Sequence, residues 1–188
     1  GNEIVDCKII DCCLADSDRG IEFDYVNNSV VADCRVLNIS NSLTIIYVYH
    51  SRYNCFFDCH VINCSATPGA AGYGFYIRTS VGNLLKRCVA KKITSTAVAS
   101  GFFISQGNDK QIVDCLVNGI DDTGGNDEYG INIASATPNC VLQNNICMKC
   151  YYAIYWQGIT GSLAIQNLAF NIGHPIGYQN VPNVDSYN

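Results

Sequence analysis

One short motif recurs along the whole chain and constrains it more than anything else in it. An apolar residue is followed three places later by cysteine or asparagine, and two places after that by another apolar residue. The copies are Ile4…Cys7…Ile9, Val31…Cys34…Val36, Phe56…Cys59…Val61, Leu85…Cys88…Ala90, Ile112…Cys115…Val117, Val141…Asn144…Ile146 and Ala164…Asn167…Ala169. Their anchors are spaced by 27, 25, 29, 27, 29 and 23 residues. Self-similarity at a period in the twenties is the mark of a solenoid, in which no single repeat buries its own apolar face and stacked repeats build one continuous core.

A second element fixes the register. Gly20-Ile21-Glu22-Phe23, Ile45-Ile46-Tyr47-Val48, Gly74-Phe75-Tyr76-Ile77, Gly101-Phe102-Phe103-Ile104, Gly130-Ile131-Asn132-Ile133 and Ala153-Ile154-Tyr155-Trp156 share one form, small then apolar, variable, apolar, with Ile45 the exception. Each begins 14 residues before the next anchor. Alternation over four residues is a strand with one face inward. From an anchor to the next such strand the distance varies, at 13, 11, 15, 13, 15 and 9 residues. Each repeat therefore reads as a strand, a fixed corner, a second strand, a tight turn at the anchor, a third short strand and a variable loop. The residue before each anchor (Asp6, Asp33, Asp58, Arg87, Asp114, Gln143, Gln166) is polar and is expected to face solvent.

Twelve cysteines would suggest disulfides in a secreted chain. Their positions favour packed thiols instead. Cysteine and asparagine exchange at the anchor, and Cys12 and Cys64 stand where Ile39, Ile93, Ile120 and Ile172 stand in other copies. A site that accepts Cys or Ile is a core site. Cys147 and Cys150 form a CxxC pair with no second pair to complete a zinc site. No apolar run reaches 18 residues, so no membrane-inserted segment is expected. Only 14% of residues are charged and the net charge is −5. The one basic cluster, Lys86, Arg87, Lys91 and Lys92, reads as a solvated stretch, and nucleic acid is not an expected partner.

The motif resembles the right-handed parallel β-helix of the pectate-lyase-like superfamily, over about residues 4–178. The resemblance implies an all-β, single-stranded right-handed parallel β-helix of about seven turns, ~34 Å long at ~4.8 Å per turn. One domain over 1–188 is expected, as a fragment of a longer β-helix or a subunit that oligomerises or stacks end to end. Gly173–Tyr178 is expected to begin a further strand, and 179–188 to form a C-terminal cap or tail. The resemblance favours an extracellular or surface setting.

It also implies that the strand after the variable loop carries the ligand. Its outward residues are Glu22 and Asp24, Tyr47 and Tyr49, Tyr76 and Arg78, Phe103 and Ser105, Asn132 and Ala134, Tyr155 and Gln157. Tyr47, Tyr76, Phe103 and Tyr155 make an aromatic stripe. Such a stripe serves as a sugar platform or a protein interface, or is covered by the long loops. The loop from Asp121 to Tyr129 gathers Asp121, Asp122, Asp127 and Glu128, where turn formation, calcium binding and acid–base chemistry compete. Catalytic candidates on the face are Glu22, Asp24, His50 and Arg78; His60 reads as an exposed variant of Lys8 and Arg35, and His174 lies elsewhere in the repeat. The sequence does not converge them as general acid–base work requires. The expected function is a non-catalytic structural and binding module of a surface, fibre or spike-like protein. It would recognise glycan or partner protein through Tyr47, Tyr49, Tyr76, Phe103, Asn132 and Tyr155, without a cofactor. The alternative is a polysaccharide lyase or glycoside hydrolase with its groove on the same face.

Overall fold

The computed structural model describes residues 3–5, 8–10, 13–66, 68–123, 125, 127–134, 137–157, 161–170 and 177–179, with side chains left aside at 5, 8–10, 13–18 and 177–179. Cys7, Cys12, Ile172, His174 and the tail beyond Gln179 lie outside the described residues. Twenty-one strands and no helix are found among them. The first sheet contains β1 (Glu3–Val5), β4 (Val30–Ala32), β7 (Cys55–Phe57), β10 (Leu84–Lys86), β13 (Gln111–Val113), β16 (Val141–Gln143) and β19 (Leu163–Ile165). The second contains β2 (Lys8–Ile10), β5 (Arg35–Leu37), β8 (His60–Ser65), β11 (Val89–Ser95), β14 (Leu116–Asp122), β17 (Ile146–Met148) and β20 (Leu168–Phe170). The third contains β3 (Cys13–Asp24), β6 (Ser40–Tyr49), β9 (Gly72–Arg78), β12 (Ala99–Ser105), β15 (Glu128–Ile133), β18 (Tyr152–Gln157) and β21 (Gly177–Gln179). Each strand pairs in parallel with the strand three places along, so the chain winds once through all three sheets per repeat and forms a parallel β-solenoid. β21 pairs its backbone with β18, which is the further strand that the last apolar segment led us to expect.

The first-sheet strands are three residues long because only the middle residue points inward. Val31, Phe56, Leu85, Ile112 and Leu142 are at most 1% exposed. The corner to the second sheet is one residue in left-handed backbone: Asp33, Asp58, Arg87, Asp114, Asn144 and Gln166 have φ between 52° and 55°. Outside glycine that conformation costs ~1–2 kcal/mol. Here it is held by amide bonds to the next turn, such as Arg87 N to Val113 O at 3.0 Å and Asp114 N to Gln143 O at 2.9 Å. The anchor that follows is buried. Cys59, Cys88 and Cys115 each donate a thiol to the carbonyl of the previous turn, at 3.5, 3.5 and 3.6 Å.

The sixth anchor differs from the sequence reading. Ile112 pairs with Leu142, not Val141, and the buried corner residue is Asn145, not Asn144. The motif is therefore Leu142…Asn145…Cys147. Ile133 and Leu142, the partners of Ile104 and Ile112, stand one residue further apart in the chain than those two, and the corner moves by one. Asn144 is exposed in the left-handed position, and Gln143 ends β16. Asn145 Oδ1 accepts from Cys115 N at 2.9 Å, and its Nδ2 donates to Ile112 O at 2.9 Å. A buried carboxamide that accepts from and donates to the previous turn at once is what allows asparagine in this position.

Cys55, Cys59, Cys64, Cys88, Cys115, Cys140, Cys147 and Cys150 are free thiols, and all of these but Cys55 are buried, as is Cys34. Cys64 pairs with Ile93, which pairs with Ile120, so the exchange of Cys and Ile marks a shared core position. Lys8, Arg35 and His60 fall in one register, as their shared place in the repeat implies.

Candidate functional site

The third sheet is kinked by its small residue. Between Ser100 and Phe102 the ladder skips Gly101, and a Cβ there would lie 2.8 Å from Gly130 O and 2.9 Å from Val117 Cγ1. The same residue is skipped in each neighbouring strand, so the strands share a kink there: Phe102, just after the glycine, points into the core, and the residue before the glycine comes onto the same side as the second residue after it. Three outward columns result. The first runs Arg19, Thr44, Tyr73, Ser100, Tyr129, Tyr152. The second runs Glu22, Tyr47, Tyr76, Phe103, Asn132, Tyr155. The third begins Asp24, Tyr49, Arg78, Ser105.

The expected stripe is the second column. Tyr47 and Tyr76 meet edge to face at 5.2 Å, and Tyr76 and Phe103 lie 4.7 Å apart. Strict alternation missed the first column. Tyr73 stacks on Phe103 at 4.8 Å and packs on Tyr76 at 5.0 Å, and Tyr129 stacks on Tyr152 at 5.4 Å and packs on Tyr155 at 4.9 Å. The available signal was the residue just before the small one, where tyrosine recurs at 73, 129 and 152.

The stripe is also less open than an exposed ribbon. Tyr47 is 3% exposed, beneath Tyr49, Tyr76 and the Arg19 guanidinium, which lies 4.0 Å from its ring centre. Tyr49, Tyr76, Phe103 and Tyr155 are half-buried, and Asn132 is 8% exposed between Phe103 and Tyr155. Burial pushes the phenols of Tyr47 and Tyr73 up, the latter to about 12. These rings stay neutral hydrogen-bonding groups at any physiological pH.

The catalytic candidates end up around the first three turns of this face. Glu22 is paired with Arg19. Asp24 Oδ1 stands 3.9 Å from His50 Nδ1, too far for a hydrogen bond, and that buried nitrogen has no partner. His50 is held between Tyr49, at 3.5 Å between ring centres, and Tyr25, stacked at 4.8 Å. Arg78 lies over Tyr49 at 5.7 Å. His50 also lines a cleft of about 310 Å³ with Tyr25, Asn27, Arg52, Thr79 and Val81, where the third sheet turns into the first. Tyr25 is 69% exposed and presents a free ring face at its edge.

The acidic loop does not join this group, since it lies at the end of β14, beside Thr94 and Ser95 of the fourth turn. Asp122 is buried at 5% exposure, and Tyr129 donates its hydroxyl to Asp127 at 2.8 Å. Burial, then the charges of Asp121 and Asp122, raise the Glu128 carboxyl above its usual range. Among the described residues no group of three or more His, Cys, Asp or Glu side chains is arranged to hold a metal ion.

A family model described as the right handed beta helix region matches residues 1–146. No curated protein matches the chain. Among solved structures, the periplasmic alginate epimerase AlgG is similar at 11% identity and a TM-score of 0.42, covering 80% of this chain and 49% of its own. An alginate lyase from Paenibacillus sp. str. FPU-7 is similar at 12% identity and a TM-score of 0.36, covering 88% and 80%. The catalytic domain of a GH87 alpha-1,3-glucanase is similar at 12% identity and a TM-score of 0.24, covering 87% and 50%. The chain thus spans about half the length of the epimerase and of the glucanase domain.

Proposed function

The chain belongs to the right-handed β-helix family, and from that premise we propose that it is a glycan-binding module whose ligand lies along the third sheet and enters the corner cleft beside His50. One observation carries this reading. The aromatic wall of Tyr49, Tyr76 and Phe103, backed by the buried Tyr47, runs into a cleft edged by the exposed ring of Tyr25. A sugar ring offers an apolar face to an aromatic ring and hydroxyls to polar neighbours. Asn27, Arg52, Thr79 and the His50 ring line the cleft and supply those neighbours. The stacked tyrosines are pre-ordered, which lowers the entropic cost of binding. Titration calorimetry against an oligosaccharide panel tests it. Tyr25→Ala and Tyr49→Ala should each weaken binding at least tenfold, and unchanged affinity in both removes the proposal.

A second reading is favoured by the gathering of Asp24, His50, Tyr49 and Arg78 at the edge of this cleft. These are groups of the kind a polysaccharide lyase or hydrolase uses for proton transfer. Incubation with the same panel discriminates: new reducing ends or unsaturated products that disappear in His50→Ala support an enzyme, and intact oligosaccharides support a binder.

A further inference from the structure

A second cleft, of about 440 Å³, opens where β14 leads towards β15, outside the second sheet and away from the tyrosine face. Its shape follows from a second left-handed column. Lys92 (φ 53°), Gly119 (φ 74°) and Lys149 (φ 52°) fall at the same position of successive turns, because Ile93 pairs with Ile120 and Ile120 N bonds Lys149 O. The two lysines are therefore two strand spacings apart, ~10 Å. Gly119 between them has no side chain and leaves the floor open.

Asp121 and Glu128 line the same cleft, together with the Thr94 hydroxyl. Neither lysine is paired with a carboxylate among the described residues. Each ligand class uses these groups differently. A simple anion would use the amines but meet repulsion from the carboxylates, and a cation would meet the reverse. A neutral sugar would leave two amines without an anionic partner. A hydroxyl-rich anion uses everything: its acid groups sit on the amines and its hydroxyls donate to Asp121, Glu128 and Thr94.

We propose that this cleft is a second binding site, for an acidic oligosaccharide spanning Lys92 and Lys149. It is independent of the tyrosine face. The test is calorimetry and amide NMR on the full chain with β-linked diglucuronic acid, maltose and inorganic phosphate as probes. Saturable binding of the diglucuronic acid, with amide shifts at 92, 119 and 149, is expected. Lys92→Gln/Lys149→Gln should weaken it at least tenfold. The shifts at 92, 119 and 149 should persist in Tyr25→Ala/Tyr49→Ala, whatever that variant loses at the other face. Phosphate or maltose moving these three amides at concentrations as low as the diglucuronic acid would overturn the proposal. So would unaltered titration of these amides in the double lysine variant, or their loss in the tyrosine variant.

Discussion

Lys110 is the residue least suited to its surroundings. It occupies the buried position where Asn54 and Asn83 stand in earlier turns, and it is 1% exposed. There Asn54 accepts from Ser29 N and Asn83 from Asn54 N, both at 2.9 Å, whereas an amine can only donate, here to Gln106 O. Burial lowers the amine from 10.5 to about 8. Between those values the unfolded chain holds more protons than the folded one, so this group's contribution to stability rises with pH from about 8 to 10.5 and its cost is greatest below 8. That cost is on the order of 3 kcal/mol. Lys110→Met should therefore stabilise the protein by about that amount at pH 7. In urea titrations the gap to wild type should close towards pH 10; a gap independent of pH would refute the assignment. Asn145 gives the complementary case. Asn145→Ala should cost about 2–4 kcal/mol, since it strands Cys115 N and Ile112 O, and Asn144→Gly much less. The sequence could not separate these two neighbours, because either asparagine fits the motif and the inserted residue upstream leaves no mark.

At the scale of the element, the kink shared by the third-sheet strands decides which residues lie on the outer side. Gly101→Ala would press a Cβ against Gly130 O and Val117. It should destabilise by about 1–3 kcal/mol, measured by denaturant unfolding, although alanine is otherwise harmless in a strand. A neutral result would show that the kink can relax, as it does around Ile45, which stands at the skipped position of β6. The short strands, their inward middle residues and the left-handed corners were legible, since an apolar residue flanked by polar ones at fixed spacing has few structural solutions. The first aromatic column was not. Alternation assumes an unbroken ladder, and the skipped glycine places Tyr73 on the same side as Tyr76. The crowding of Tyr47 was hidden for a related reason: Arg19 reaches its ring from one turn away, and a column of sequence positions says nothing about such diagonal contacts.

For the whole molecule, one core runs the length of the solenoid and the cysteines belong to it. Burial raises the thiols of Cys64, Cys140, Cys147 and Cys150, the last to about 12. Among Cys55, Cys59, Cys64, Cys88, Cys115, Cys140, Cys147 and Cys150, thiol reagents should modify Cys55 alone in the folded protein, and all eight in denaturant without reductant. Protection that survives denaturation until reductant is added would mean disulfides. On this frame the aromatic stripe was legible in the sequence and the corner cleft beside it was not. The corner cleft depends on Tyr25, His50 and Thr79, which follow the third-sheet strands in three successive turns and share no residue type. The central claim is that glycan lies on the tyrosine face and turns into that cleft. Amide NMR of the full chain during titration with the best-binding oligosaccharide tests it most directly. The account predicts shifts concentrated at residues 25, 49–50, 76 and 78–79, and abolished by Tyr49→Ala. Saturable binding that leaves those amides unmoved would contradict it.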